Sequence, residues 1–380
     1  MTKPLFVAAL GLFFAAAAQA QSDLPFGIEE IAEFDEPWAL AFLPDGRMLV
    51  TEMKGNLIIV TRNGEKSDPV GGVADVDFGG QGGLGDVALH PDFANNGLVY
   101  LSYAEVGEGD TRGAAVMRGR LEETEEEGAA LSDVEVIWRQ YPKVFGHGHY
   151  GHRLLFDDDG FLWISSGDRQ KFTTAQDMQA NLGKVLRLND DGSVPDDNPF
   201  TDYPSDDALV DDAGVFGQVW SLGHRNPLGI AFDLEGQLWA IEMGPEGGDE
   251  LNRIERGANY GYPLVSNGNH YDGRAIPDHG TRPEFAAPAV AWNPVISPGS
   301  LTFYGGNLFS DWRGDALVAG LSSQAIVRIE VDGDRAREVE RYAMGQRIRT
   351  VVEAPDGALW VLEDQRRGGS GRLLRLTPAD

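Results

Sequence analysis

The sequence predicts an all-β fold, a six-bladed β-propeller with four-stranded antiparallel blades. Three observations carry that expectation. One phrase recurs: an apolar strand, a turn built on Asp-Gly or its like, then a second alternating strand. It reads clearly at 41–50, 154–164, 230–240 and 352–361, with variants at 87–101 and 301–319. Asp-Gly between alternating strands is a strong hairpin signal, because glycine reaches positive φ at little cost. Several copies also close with a third apolar strand, as at 57–60, 185–188 and 373–376. Finally, no amphipathic helix and no strand–helix alternation stands out, which argues against a parallel sheet. Six such units suit radial repetition, which leaves few exposed edges. Two stacked β-sandwiches are the rival, but no linker composition divides the chain.

Taken in order, the chain begins with Lys3, an apolar run from Leu5 to Ala18 broken only by Gly11, and the small-x-small triplet Ala18-Gln19-Ala20. That is the pattern of a secretory signal, too short to span a bilayer with normal flanks. Residues 1–20 are therefore expected to be removed near Ala20. Residues 21–380 are then a single propeller domain, periplasmic or secreted. Phe26 to Phe34 offers a strand that pairs with the last unit and closes the ring. The absence of cysteine excludes disulfides, thiolate zinc sites, iron–sulfur clusters and cysteine nucleophiles. Asp and Glu total 60 against 31 Lys and Arg, a net charge of -29. Such a chain repels phosphates and anionic lipid, so neither nucleic acid nor membrane insertion is expected. The acidic runs 122–127 and 190–212, the latter with nine aspartates, read as solvated loops. Neither has the regular spacing of an EF-hand calcium loop.

Four segments carry chemistry. Gly146 to Arg153 gathers three of the seven histidines, at 147, 149 and 152. On a strand His147 and His149 share a face and His152 points away, which weakens a histidine metal site and leaves one imidazole as a general base. Arg225-Asn226-Pro227 brings a planar donor fork beside an amide at a strand entrance, suited to a carboxylate or a developing oxyanion. Arg347-Ile348-Arg349 places two guanidinium groups on one strand face, where they want an anion between them. Gly244-Pro245-Glu246-Gly247-Gly248-Asp249-Glu250 is a glycine-rich turn with three acids, able to direct carbonyls and carboxylates at one calcium ion. Each has a plainer reading as a polar turn or solvated strand. Together they fall at corresponding places in different repeats, which a propeller gathers at the mouth of its channel. That set suits an anionic cofactor. No Gly-x-Ser-x-Gly elbow and no dinucleotide-binding glycine fingerprint is present.

In family order these segments resemble the soluble pyrroloquinoline quinone (PQQ)-dependent aldose sugar dehydrogenases of the glucose/sorbosone dehydrogenase family. The resemblance runs from about Glu36 to Leu376. It rests on Gln81 to Pro91, His149 to Leu154, Arg225-Asn226-Pro227, Gly244 to Asn252, Asn259-Tyr260-Gly261-Tyr262-Pro263 and Arg347-Ile348-Arg349. It implies a six-bladed propeller, PQQ and Ca2+ as cofactors, and oxidation of the C1 hydroxyl of an aldose to a lactone. His149 would be the general base. Gln81, Arg225, Asn226, Arg347 and Arg349 would contact the quinone, with Arg225 also stabilising developing charge. Gly244 and Pro245 would offer carbonyls to the calcium on the cofactor, and Glu250 and Tyr260 would belong to a second, structural calcium.

Two positions depart from the family pattern. Ser322 stands where a lysine often reaches the cofactor, and Met243 where a histidine often precedes Gly-Pro. The resemblance names neither the preferred aldose nor the electron acceptor, and monomer and dimer both remain open. A calcium-dependent lactonase would want a carboxylate-rich mouth instead of paired arginines. A non-catalytic binding propeller would have no use for His149, Arg225 and Arg349 in this order.

Overall fold

The computed structural model describes residues 24–124, 128–203 and 214–379. The expected signal segment and parts of both acidic runs lie outside the described residues. Strand β1 (Phe26–Glu33) precedes the first blade, which holds β2 (Pro37–Phe42), β3 (Met48–Glu52) and β4 (Asn56–Val60). The second is β5 (Leu84–Leu89), β6 (Leu98–Val106), β7 (Arg112–Thr124) and β8 (Gly128–Arg139). The third is β9 (Gly151–Phe156), β10 (Leu162–Ser166), β11 (Lys184–Leu188) and β12 (Val219–Leu222). The fourth is β13 (Pro227–Phe232), β14 (Leu238–Glu242), β15 (Asp249–Arg253) and β16 (Val290–Trp292). The fifth is β17 (Pro298–Phe303), β18 (Ala316–Gly320), β19 (Ala325–Asp332) and β20 (Arg335–Ala343). The sixth is β21 (Ile348–Glu353), β22 (Leu359–Glu363) and β23 (Arg372–Pro378), completed by β1 as its outer strand.

All pairings between these strands are antiparallel, and β1 runs against β23 from Phe26 opposite Pro378 to Glu33 opposite Arg372. The ring is thus closed by the N-terminal strand, as the sequence predicts. Phe26 fixes it, lying edge-on to Phe309, Trp312 and Tyr342. Only the first blade departs from four regular strands. Its outer row is an irregular segment that bonds β4 through Ser67 N–H to Ile59 O and Val70 N–H to Leu57 O, both 2.8 Å.

The Asp-Gly phrase does what its chemistry requires. Gly160 and Gly236 turn the chain at φ 87° and 82°. In each turn the aspartate, Asp157 or Asp233, accepts two backbone N–H groups on one oxygen and a tryptophan indole, Trp163 or Trp239, on the other. The second strands β3, β10, β14, β18 and β22 are buried along their whole length, because each blade is packed between two neighbours.

The inner strands β2, β5, β9, β13, β17 and β21 neighbour one another around the axis. Arg153 of β9 ties them together. Its guanidinium lies over the Trp38 ring at 3.8 Å, faces Asp86 at 3.2 Å, and donates to Leu228 O at 2.7 Å, to Gly299 O and to Thr350 Oγ1. One buried side chain therefore reaches every other inner strand and plugs the channel. Burial pushes the Arg153 pKa down to about 10, although Asp86 opposes that change.

Candidate functional site at the channel mouth

Propeller geometry places the segment before each inner strand and the segment after each second strand at one end of the channel. Asp-Gly turns take the other end. Gln81, His149, Arg225, Asn226 and Arg347 all precede an inner strand, whereas Gly244, Pro245 and Ser322 follow a second strand. At this end lies a cavity of about 590 Å3, within the range of small-molecule sites. Gln81, Ser322, Arg347 and Arg349 line it, together with Trp38, His152, Met243, Tyr271, Arg366 and Arg367. His149, Arg225 and Asn226 are buried beside it and are not part of that lining.

The histidine segment is not a strand where the sequence reading made it one. β9 begins only at Gly151, and both His149 and His152 adopt left-handed backbone, at φ 52° and 56°. The expected parity of faces therefore fails. His147 is partly exposed, 3.8 Å from Asp77. His152 is buried, stacks on Trp38 at 5.0 Å and meets Ser102 Oγ at 2.8 Å. Gly85 makes room for it, since a Cβ there would lie 2.0 Å from the ring. Burial first, then the charges of Arg153, Arg169 and Arg349, lowers the His152 pKa to about 3, so it is neutral.

His149 is held differently. Its N–H donates to Gln81 Oε1 at 2.7 Å, and its Nδ1 lies 2.7 Å from Asp168 Oδ1. An ionised carboxylate only accepts, so Nδ1 carries the proton and Nε2 keeps its lone pair. Burial lowers the His149 pKa, aided by Arg225 and Arg169 and opposed by Asp168. The imidazole is a free base in the physiological range. Arg169 clamps the loop by donating to Gly148 O and, at 2.6 Å, to Gly146 O, with its guanidinium over the Tyr150 ring.

Arg225 is oriented from behind. Its backbone N–H donates to Glu242 Oε2 at 2.6 Å, and its Nη1 donates to Met243 O at 2.9 Å. Its Nε, both side-chain polar atoms of Asn226 and Asp168 Oδ2 are buried without hydrogen-bond partners among the described residues. Buried polar atoms are normally satisfied, so this concentration marks a place for a polar ligand. Arg347 and Arg349 do have an anion between them. Asp364 Oδ1 lies 3.3 Å from Arg347 Nε, and its Oδ2 bonds Arg349 Nη2. Burial pushes the Asp364 carboxyl up, yet Arg349 and Arg347 together hold it below its ordinary value. Arg349 Nε has no hydrogen-bond partner among the described residues.

The three acids of the 244–250 turn do not converge on one cation. Glu246 is exposed. Asp249 accepts from the N–H groups of Gly244, Ile296 and Ser297, and burial pushes its pKa up to about 6. Glu250 points elsewhere, its carboxylate 3.7 Å from His279 Nδ1. Among the described residues no three His, Asp or Glu side chains are grouped to hold a metal. What remains for a hard cation is backbone. The carbonyls of Gly244 and Pro245, both buried residues, accept no hydrogen bond among the described residues, and such oxygens suit calcium. Burial, then the neighbouring Glu242 charge, pushes Glu250 well above the usual carboxylate range. Tyr260 commits its hydroxyl to Arg253 O and Glu255 N–H, while its carbonyl lies 3.1 Å from His279 Nε2.

Sequence reasoning missed Asp168, Arg169, Asp364 as the partner of the arginine pair, and Arg366 and Arg367. The repeat held the signal for two of them, Asp168 and Asp364. Asp168, Gly244 and Asp364 each fall one or two residues beyond the second strand of a blade.

Known proteins share this fold and much of this sequence. The family model for glucose/sorbosone dehydrogenase matches residues 34–375. Aldose sugar dehydrogenase YliI of Escherichia coli is 39% identical over 354 residues, 91% of each chain. The apo crystal structure of the soluble aldose sugar dehydrogenase (Asd) from Escherichia coli superposes with a TM-score of 0.83 at 37% identity, covering 93% of this chain and 100% of that one. The PQQ-bound aldose sugar dehydrogenase of Streptomyces coelicolor gives 0.73 at 28% identity, covering 93% and 98%.

Proposed function

The chain belongs to the glucose/sorbosone dehydrogenase family, and from that premise we propose that it is a PQQ- and calcium-dependent aldose dehydrogenase, oxidising the C1 hydroxyl of an aldose to the lactone. One observation carries the reading: a buried imidazole with a free Nε2, fixed by Asp168 and Gln81, beside an arginine-lined cavity. The mouth fits the cofactor on its own chemistry. Arginines supply charge-assisted bonds to carboxylates, the unpartnered atoms of Arg225, Asn226 and Arg349 await acceptors or donors, and the carbonyls of Gly244 and Pro245 suit its calcium. When bound, the quinone with its calcium supplies the two-electron acceptor for hydride.

The chain's own residues then divide the work. His149 Nε2 takes the proton of the sugar C1 hydroxyl. Asp168 holds the required tautomer and stabilises the imidazolium that forms. Arg225, anchored by Glu242 and Met243, presents its guanidinium where negative charge develops. Gln81, Asn226, Arg347 and Arg349 bind and orient the quinone, while Glu250 and Tyr260 serve a second, structural calcium. Arg153 plugs the channel beneath. The N-terminal segment directs export, and no helix among the described residues is long and apolar enough to cross a membrane.

The test is spectroscopic. Protein loaded with quinone and calcium should show bleaching of the oxidised quinone band on adding an aldose, with lactone recovered in equal amount. A spectrum unchanged by every aldose in a panel would refute the dehydrogenase reading.

A further inference from the structure

The cavity's charge runs against that of the chain. In a protein of net charge -29, its lining holds Arg347, Arg349, Arg366 and Arg367 and no carboxylate. Asp364 behind the first two is the acid that meets them. Set against the Asp364 carboxylate, the four guanidinium groups of the lining carry an excess of three positive charges. Like charges held this close repel one another, and a polyanionic ligand relieves the repulsion.

The four arginines are not equivalent. Arg347 and Arg349 are held by Asp364. Arg366 is fixed at both ends, its N–H donating to Asp364 Oδ1 at 3.0 Å and its guanidinium to Gly80 O, beside Gln81. Arg367 is exposed, and its side chain makes no hydrogen bond or ion pair among the described residues. Its backbone sits at φ 59°, ahead of Gly368 at φ 90°. Left-handed backbone is uncommon outside glycine and persists where surroundings demand it, often at ligand sites. Another part of the lining, Ser322, is neutral and donates to Val295 O at 3.3 Å. Arg328, nearby in sequence, is committed to Asp315 instead.

We propose that Arg367 is a cofactor-binding residue, an uncommitted cation at the mouth that takes one carboxylate of the quinone and supplies the charge that Ser322 lacks. The proposal rests on the PQQ reading above. Its test is titration of pyrroloquinoline quinone into calcium-loaded protein, followed by tryptophan fluorescence quenching and by calorimetry. Arg367→Ala should raise the quinone Kd about tenfold, the difference between a charge-assisted contact and a solvated one. Arg367→Lys should recover part of that loss. Adding Ser322→Lys to Arg367→Ala should recover most of it, whereas Arg335→Ala, at the start of β20 in the fifth blade, should bind as wild type does. Arg367 is exposed, so all variants should melt at the same temperature without quinone. Equal affinity of wild type and Arg367→Ala would overturn the assignment while leaving the PQQ reading intact. A wild-type protein that takes up no quinone would overturn both.

Discussion

Replacing Asp168 by Asn isolates what the carboxylate does for His149. The two side chains are nearly isosteric, and the site is fully buried, so the fold has little reason to change. Asp168 Oδ1 accepts from Gln170 N–H at 2.8 Å and meets His149 Nδ1 at 2.7 Å. An amide oxygen can do both, but without charge. Hydrogen bonds to charged groups are worth about 1.5–3 kcal/mol, and with His149 as the proposed base the carboxylate would stabilise the imidazolium formed in the transition state. Since about 1.4 kcal/mol is tenfold in rate, kcat should fall about 10- to 100-fold. The upper end applies if the amide turns its NH2 toward Nδ1, which forces the ring proton onto Nε2 and blocks the base. The pH dependence gives a second, independent sign. Asp168 raises the His149 pKa against burial, Arg225 and Arg169. Removing its charge must lower that pKa further, so the acid limb of the kcat profile should move to lower pH. The assay is aldose oxidation with an artificial electron acceptor between pH 4 and 9, with quinone affinity measured in parallel. An acid limb that stays put or moves up, or a loss of quinone binding that accounts for the lost rate, would refute the positioning role.

Further outcomes follow from the same geometry. His149→Ala should cut turnover by about 10²–10⁴, the usual worth of a positioned base, with quinone affinity nearly unchanged; His147→Ala, at a partly exposed position, should cost far less, and the reverse order would show that the wrong imidazole has been assigned. His152 is neutral in the fold, with its pKa lowered to about 3, so protonation favours the unfolded chain as pH falls below about 6.5. Wild-type stability should therefore drop by about 1.4 kcal/mol per pH unit more than that of His152→Gln between pH 6 and 4, and parallel denaturation curves would contradict this. Chelation should abolish activity and lower the melting temperature, because an ion bound only to the folded state stabilises it by mass action. Recovery should need calcium and quinone together, and full activity after exhaustive chelation would remove the metal from the mechanism.

The ring was legible because its determinants are local. Asp-Gly turns, strand length and apolar runs each act over about ten residues, and six repetitions compound a weak signal. Phe26 to Phe34 could be placed in the last blade for a simpler reason: a closed ring needs an outer strand, and the N-terminus was the unassigned one. The outer row of the first blade was not legible, since it bonds β4 through Ser67 and Val70 without an alternating pattern.

Side-chain partnerships at the mouth were a different matter. The sequence placed the arginine pair and the histidine on the page but not what faces them, because those partners come from other segments. Asp168 is 19 residues from His149, and Asp364 is 15 from Arg349. The parity argument for the histidines failed for a local reason, positive φ at His149 and His152, which no strand template anticipates. The acid-rich turn misled in the opposite direction. Its composition suggests a carboxylate cage, yet Asp249 spends both oxygens on backbone N–H groups to hold the turn in shape, and the groups left there without a hydrogen bond among the described residues are the carbonyls of Gly244 and Pro245. A carboxylate that shapes a loop and one that binds a metal look alike in sequence. They are told apart by counting which oxygens already have partners, and by that count the Asp249 carboxylate is one that shapes the loop.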